Sequence, residues 1–180
     1  TITFYGYDTT EDVVTQEATY NRTVILTPNA FTRVGYTYKE WNTVADESGV
    51  VYQDQQEFNY LLTEDLTLHA IWSPIAYKVV YDGNMATGGE MTGHDEIFYD
   101  APFTLKKNLY VRTGYTFKEW NRNADGTGES FADEQEGVVN LTSTAGETVV
   151  LYVIWNENTY TLQYNSNYTT RVYILQSLYY

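Results

Sequence analysis

The acidic run Asp125-Gly-Thr-Gly-Glu129, followed by Asp133-Glu134, gathers carboxylates in a short stretch. Hard oxygen ligands of that kind suit Ca²⁺. The spacing lacks the alternating ligands and terminal bidentate glutamate of an EF-hand loop. An equivalent earlier segment, Asp46-Glu-Ser-Gly-Val50, does not keep the ligand types. A glycine-bearing turn accounts for both segments better than a metal site. The two histidines, His69 and His94, are far apart in the chain and make no ligand set. No Gly-x-Ser-x-Gly nucleophile motif occurs. Thr87-Gly-Gly-Glu90 follows a strand-like run but lacks the lysine and spacing of a phosphate-binding loop. Without cysteine, no disulfide, thiolate metal site or thiol nucleophile is possible. The expectation is therefore a non-enzyme, with no catalytic, cofactor-binding or metal residues.

Three further groups could carry chemistry. Trp41, Trp72, Trp120 and Trp155 could form a sugar-binding platform, but they suit core and junction positions with each indole N–H reaching a partner. Lys39 and Lys118 stand beside glutamates. A lysine–asparagine cross-link would need a buried lysine, whereas solvated strand charges are the simpler reading. Asn21, Asn140 and Asn167 head Asn-x-Thr acceptor sequences. These matter only if the producing cell glycosylates exported asparagines.

The elements that must carry these residues are read from a repeat. Arg33-Val-Gly-Tyr-Thr-Tyr-Lys-Glu-Trp-Asn42 returns as Arg112-Thr-Gly-Tyr-Thr-Phe-Lys-Glu-Trp-Asn121. The register continues through Ala45-Asp46 with Ala124-Asp125, Tyr52 with Phe131, Asp54 with Asp133, and Leu62-Thr63 with Leu141-Thr142. It then slips, so that Leu66–Trp72 corresponds to Val149–Trp155, with extra residues around Ser143-Thr-Ala-Gly146. That insertion has the small polar composition of a surface loop. Boundaries near Ser73–Ala76 and Asn156–Thr159 give module 1 over residues 1–76, module 2 over 77–159, and the opening strand of a third repeat with an atypical tail over 160–180. Linkers of a few residues imply a rod rather than flexibly strung beads.

With 19 tyrosines among 180 residues and abundant threonine and valine, the chain suits pleated, half-buried surfaces. Opening strands are expected at Thr1–Phe4, Tyr77–Tyr81 and Tyr160–Tyr164. Second strands are expected at Thr23–Leu26 and Phe103–Leu105, and closing strands at Thr67–Trp72 and Thr148–Trp155. Large aromatics interleaved with polar residues over Tyr36–Trp41 lead to the expectation that Tyr36, Tyr38 and Trp41 contribute to buried layers. Short helical turns are expected at Pro28–Phe31, Lys107–Tyr110 and Asp54–Tyr60. The tail, Tyr168–Tyr180, is nearly all apolar and has strand propensity. It reads as the start of a third unit, as a strand added to the second repeat, or as a strand added to a neighbouring molecule.

The formal charge of −14 argues against nucleic acid, which needs clustered lysine and arginine. It also argues against an anionic membrane surface. No run approaches the roughly 20 apolar residues of a membrane span. No signal peptide stands at Thr1, so an exported form would be a mature piece of something longer.

These motifs resemble the Listeria–Bacteroides repeat, also called the internalin B B-repeat. Its Arg-x-Gly-Tyr-x-Phe-x-x-Trp core matches Arg112, Gly114, Tyr115, Phe117 and Trp120, followed by the Ala124–Gly128 turn and the Val149–Trp155 closing strand. The first copy matches at Arg33, Gly35, Tyr36, Tyr38 and Trp41, with Glu47 in place of the first turn glycine. The resemblance implies a mainly β or α+β class, with tandem β-grasp-like, ubiquitin-like modules. It implies an extracellular or cell-surface stalk, filament subunit or adhesin segment. Expected partners are a host or neighbouring-cell surface protein or glycan, or copies of the chain itself. The alternative is a carbohydrate-binding module, or an accessory region of a larger secreted enzyme.

Overall fold

The computed structural model describes residues 1–6 and 12–163 and the backbone of 177–178. The chain forms two compact units, the first made of Thr1–Ile75 with Phe98–Asp100 and Ser143–Ala145, the second of the remainder from Ala76 onward. In the first, β1 (Ile2–Tyr5), β2 (Val13–Gln16), β3 (Thr23–Ile25), β4 (Tyr36–Asn42), β5 (Val51–Tyr52), β6 (Glu57–Asn59) and β7 (Leu66–Pro74) follow in order. The main sheet runs β2-β1-β7-β4-β5, and β3 with β6 makes a separate ribbon. First and last strands pair in parallel at the centre, Ile2 opposite Leu66 and Tyr5 opposite His69. This is the β-grasp-like arrangement of strands.

The second unit repeats it with β8 (Ala76–Asp82), β9 (His94–Phe98), β10 (Tyr115–Asn121), β11 (Ser130–Phe131) and β12 (Thr148–Glu157) in the order β11-β10-β12-β8-β9. Here the small ribbon shrinks to one bridge between Phe103 and Val138, so the expected strand at Phe103–Leu105 does not form. Gly137, aligned with Phe58, adopts φ 70° and turns the chain where β6 stays extended. Finally β13 (Tyr160–Thr161) pairs with β14 (Ser177–Leu178). The rest of the Tyr168–Tyr180 tail lies outside the described residues.

Alternation drives each core. In β1, Ile2 and Phe4 are buried, and in β7 Leu66 and Leu68 join them around Trp41. In the second unit Val79, Leu151 and Val153 surround Trp120. Simple alternation would put Trp41 on the face opposite Tyr38. A bulge between Tyr38 and Glu40 inserts one residue and restores the tryptophan to the core, and the same bulge lies between Phe117 and Glu119. Tyr38 and Trp41 then pack edge to face at 5.4 Å, and Phe117 and Trp120 at 5.3 Å. Tyr36 is half-buried, at the edge of this layer.

No helix occurs among the described residues, which corrects the expected turns at Pro28–Phe31, Lys107–Tyr110 and Asp54–Tyr60. The reason is a side chain competing for the backbone. The Asn29 carboxamide accepts from Phe31 N at 3.0 Å, while Asn29 N donates to Asp54 Oδ1 at 2.8 Å. Asn108 does the same with Tyr110 N at 3.0 Å and Asp133 Oδ1 at 2.7 Å. Such local bonds offer the chain an alternative to helical ones. Glu57–Asn59 is strand β6 instead.

Candidate functional site

The repeated motif resolves into two devices. Arg33 C=O accepts from Tyr36 N at 3.1 Å across a turn whose third residue, Gly35, has φ 77°. Arg112, Gly114 and Tyr115 repeat the turn, with Gly114 at φ 81°. A type II turn demands that positive φ, hence glycine. Each arginine then lies over its tyrosine ring, 3.7 Å above Tyr36 and 3.8 Å above Tyr115. The arginine, glycine and tyrosine of the motif therefore hold the entry to the long strand.

The second device is the asparagine after each tryptophan. Asn42 and Asn121 are the two buried polar residues of the described core. Asn121 Oδ1 accepts from Asn123 N at 2.9 Å and Gly128 N at 3.0 Å, and Nδ2 donates to Gly126 O at 3.3 Å and Gly128 O at 3.0 Å. Asn42 accepts from Val44 N and Gly49 N, each at 3.0 Å, and donates to Glu47 O at 3.3 Å. A Cβ on Gly49 would sit 2.6 Å from Asn42 Oδ1, so only glycine permits the approach. The carboxamide is the internal staple of the hairpin loop. Its identity in both copies, directly after the core tryptophan and seven residues before a glycine, was the available sign of this role.

The acidic loop is built as a turn. Asp125 Oδ1 accepts from Thr127 N at 3.0 Å and Thr127 Oγ1 at 2.7 Å, and these bonds hold the carboxyl below its usual range. Asp46 accepts from Ser48 N at 3.0 Å in the same way. Asp133 is drawn off to Asn108 N. Among the described residues no three His, Asp or Glu side chains gather as a metal would require. Lys39 and Lys118 occupy the two bulges and are solvent-exposed. Lys39 Nζ meets Glu47 at 2.8 Å and Lys118 Nζ meets Glu119 at 3.4 Å. Neither lysine has the burial a cross-link would need. Asn21 is exposed with φ 57°, Asn140 is half-buried with φ 54°, and Asn167 lies outside the described residues.

The tryptophans divide into two pairs. Trp72 Nε1 donates to Gly6 O at 2.8 Å, and Trp155 Nε1 to Gly83 O at 3.0 Å and Asn84 O at 2.9 Å, pinning each opening strand's exit to the closing strand. Trp41 and Trp120 are buried to within 1% of full, yet their indole N–H groups meet no acceptor among the described residues. This corrects the expectation that every indole finds a partner. Aromatic packing outweighs the loss. Phe4 sits 4.9 Å from Trp41, and Tyr81 4.6 Å from Trp120.

The histidines are unrelated in setting. His69 stacks on Tyr5 at 5.3 Å, with planes 17° apart. His94 Nε2 lies 3.1 Å from Tyr81 Oη, which accepts from Lys106 N at 2.8 Å, and the ring packs edge-on to Phe103 at 5.1 Å. Lys106 Nζ is itself spent on Thr92 O, Thr92 Oγ1 and Gly93 O at 2.7–3.0 Å. Burial, then the nearby Lys106 ammonium, lowers the His94 pKa. The unfolded chain then binds a proton more readily than the folded one. His94 therefore leaves stability intact above its unfolded pKa, about 6.5, and erodes it as pH falls through that value toward the folded pKa. Urea melts from pH 7.5 to 5 should show the second module weakening, and His94→Phe should remove that component.

A cleft of 170 Å³ opens in the first module, with Tyr5, Arg33, Ala45, Glu47, His69, Ala70, Ile71 and Trp72 around it. In the second module the aligned backbone is cross-braced by a side chain. Asn84 Nδ2 donates to Ala124 O at 2.8 Å and to Val153 O at 2.9 Å.

The geometry of two equivalent modules accords with the comparisons. The Listeria-Bacteroides repeat domain matches residues 1–71 and again residues 77–152. A protein of Evansella cellulosilytica whose name describes it as a Gly-rich membrane protein is 31% identical over 174 residues, 93% of this chain and 20% of its own length. Another from the same organism, named as a membrane protein, is 32% identical over 144 residues, 79% of this chain and 20% of its own. The chain thus spans about one fifth of the length of each relative. With both copies matched and both built on the same turn, bulge and asparagine staple, the chain belongs to the Listeria-Bacteroides repeat domain family.

Proposed function

We propose that the chain is a repeat segment of an exported protein at a microbial cell surface, serving as a non-catalytic structural and interaction module. The observation that carries this reading is the division between what the copies share and what they vary. Trp41 and Trp120, Asn42 and Asn121, and the two arginine-tyrosine turns are held in common and face inward or hold the loops. On the same hairpin scaffold, exposed Val44, Val50 and Val51 are replaced by Asn123, Glu129 and Ser130. A scaffold kept while its exposed positions change is what an array of interaction modules needs. The names of the relatives, which place them in membranes, support an envelope setting. In that setting the array is a stalk, filament or adhesin segment, and the exposed loops of each copy meet a surface protein, a glycan or another copy.

Gold-labelled antibody against this segment, applied to intact producing cells, tests the reading. Surface label that is removed by external protease is the expected result, with ordered arrays of gold indicating a filament and scattered gold an adhesin. Label that appears only after permeabilisation would overturn it.

A further inference from the structure

The first compact unit contains Phe98–Asp100 together with Thr1–Ile75, although that short segment belongs by sequence to the second copy. Within this unit the Tyr99 ring covers Gly35. A Cβ on that glycine would stand 2.3 Å from Tyr99 Cδ1, so the motif's glycine serves a close approach as well as its φ of 77°. Tyr99 also meets the Tyr36 ring edge to face, with centroids 5.9 Å apart and planes at 70°. Its backbone N–H donates to Ile75 O at 3.0 Å, and Tyr36 Oη donates to Asp100 Oδ2 at 2.8 Å. The Arg-x-Gly-Tyr turn is thus a seat for a tyrosine followed by a side chain with an acceptor oxygen.

The first copy carries the same pair. Tyr20-Asn21 aligns with Tyr99-Asp100, each tyrosine standing six residues ahead of a leucine, Leu26 or Leu105, that is 1% exposed. Both pairs lie in turns, and left-handed backbone follows each tyrosine, with φ 57° at Asn21 and 60° at Asp100. The same local geometry therefore presents both rings. Their cover differs, since Tyr99 is half-buried and Tyr20 is 61% exposed. From this comparison we infer that Tyr20-Asn21 docks onto the Arg-x-Gly-Tyr turn of a repeat that precedes it in a longer array. The glycine leaves room for the Tyr20 ring, the turn's tyrosine meets that ring by its edge, and the Asn21 carboxamide oxygen accepts from the phenol. Ring and seat are different parts of the repeat, so the contact is head-to-tail and can recur at every junction. The inference rests on reading the chain as part of a repeat array, and it names another repeat as the partner of this surface.

The test adds one repeat ahead of the full chain. Ile2 pairs with Leu66 as Val79 pairs with Val149, so Tyr77 aligns with the position just before Thr1. A copy of residues 1–77 joined directly to Thr1 therefore keeps the spacing that separates Gly35 from Tyr99. In this extended chain, NOEs are expected between the Tyr20 ring of the original copy and the Gly35 Hα of the added one. Tyr20→Ser in the original copy should lower the melting of the added copy by about 4 °C or more. The same substitution should leave melting of the 180-residue chain unchanged, because the ring is exposed there. Tyr99→Ser in the 180-residue chain should lower the transition of the first module in turn. The inference is overturned if no such NOE appears, or if Tyr20→Ser costs the same with and without the added repeat. It is equally overturned if Tyr99→Ser leaves the first module's transition where it was. Surface display of the chain is decided separately, by the labelling experiment, and does not depend on this result.

Discussion

Trp120→Ala is expected to unfold the second module while the first still melts cooperatively. Trp120 is completely buried and touches the Tyr81, Tyr110 and Phe117 rings. Truncating such a side chain costs about 3–5 kcal/mol. A module of this size has a total of only about 4–12 kcal/mol to lose. Calorimetry should show one of two transitions lost or strongly lowered. Because the indole N–H has no acceptor among the described residues, Trp120→Phe deletes no hydrogen bond and should cost much less. Normal melting of Trp120→Ala would refute its place at the centre of the core.

The second large effect is expected at Asn121. Asn121→Ala strips the acceptor from two backbone N–H groups and the donor from two carbonyls, all within a loop folded on a fully buried side chain. Each buried group left unpaired costs about 1–3 kcal/mol, so a loss of about 2–4 kcal/mol is expected after partial hydration of the loop. Asn121→Asp sharpens the test. The new carboxyl keeps the acceptor but faces Gly126 O and Gly128 O, where its charged form is buried and repelled. Its folded pKa is therefore raised. A raised acid pKa makes the fold most stable below the unfolded value and weaker as pH rises. The variant should gain stability in urea from pH 7 to pH 4, opposite in sign to the His94 effect.

Much of this fold was legible because the chain states it twice. The copies reveal which aromatic positions matter, and alternation in Thr1–Phe4 and Tyr77–Tyr81 marks the opening strands of the sheet. What alternation misses is the bulge, since one inserted residue at Lys39 or Lys118 leaves no mark in composition while reversing the face of everything after it. The helical turns failed for a similar reason. Pro28–Phe31 has acceptable helical composition, but Asn29 satisfies the local backbone with its own side chain and anchors it to Asp54, a partner 25 residues away. The asparagine staple was visible as identity but not as a role, since its partners are backbone groups that any sequence possesses.

The parallel pairing of each module's first and last strands has a mechanical consequence. Tension applied through the chain pulls β1 by its leading end and β7 by its trailing end, in opposite directions along the same ladder from Ile2–Leu66 to Tyr5–His69. The hydrogen bonds across that ladder are loaded together in shear, whereas a hairpin pulled from its open end would lose its bonds singly and in succession. Each module is wired to bear load along the line of its own termini, and resistance to force is a property of the unfolding barrier more than of equilibrium stability.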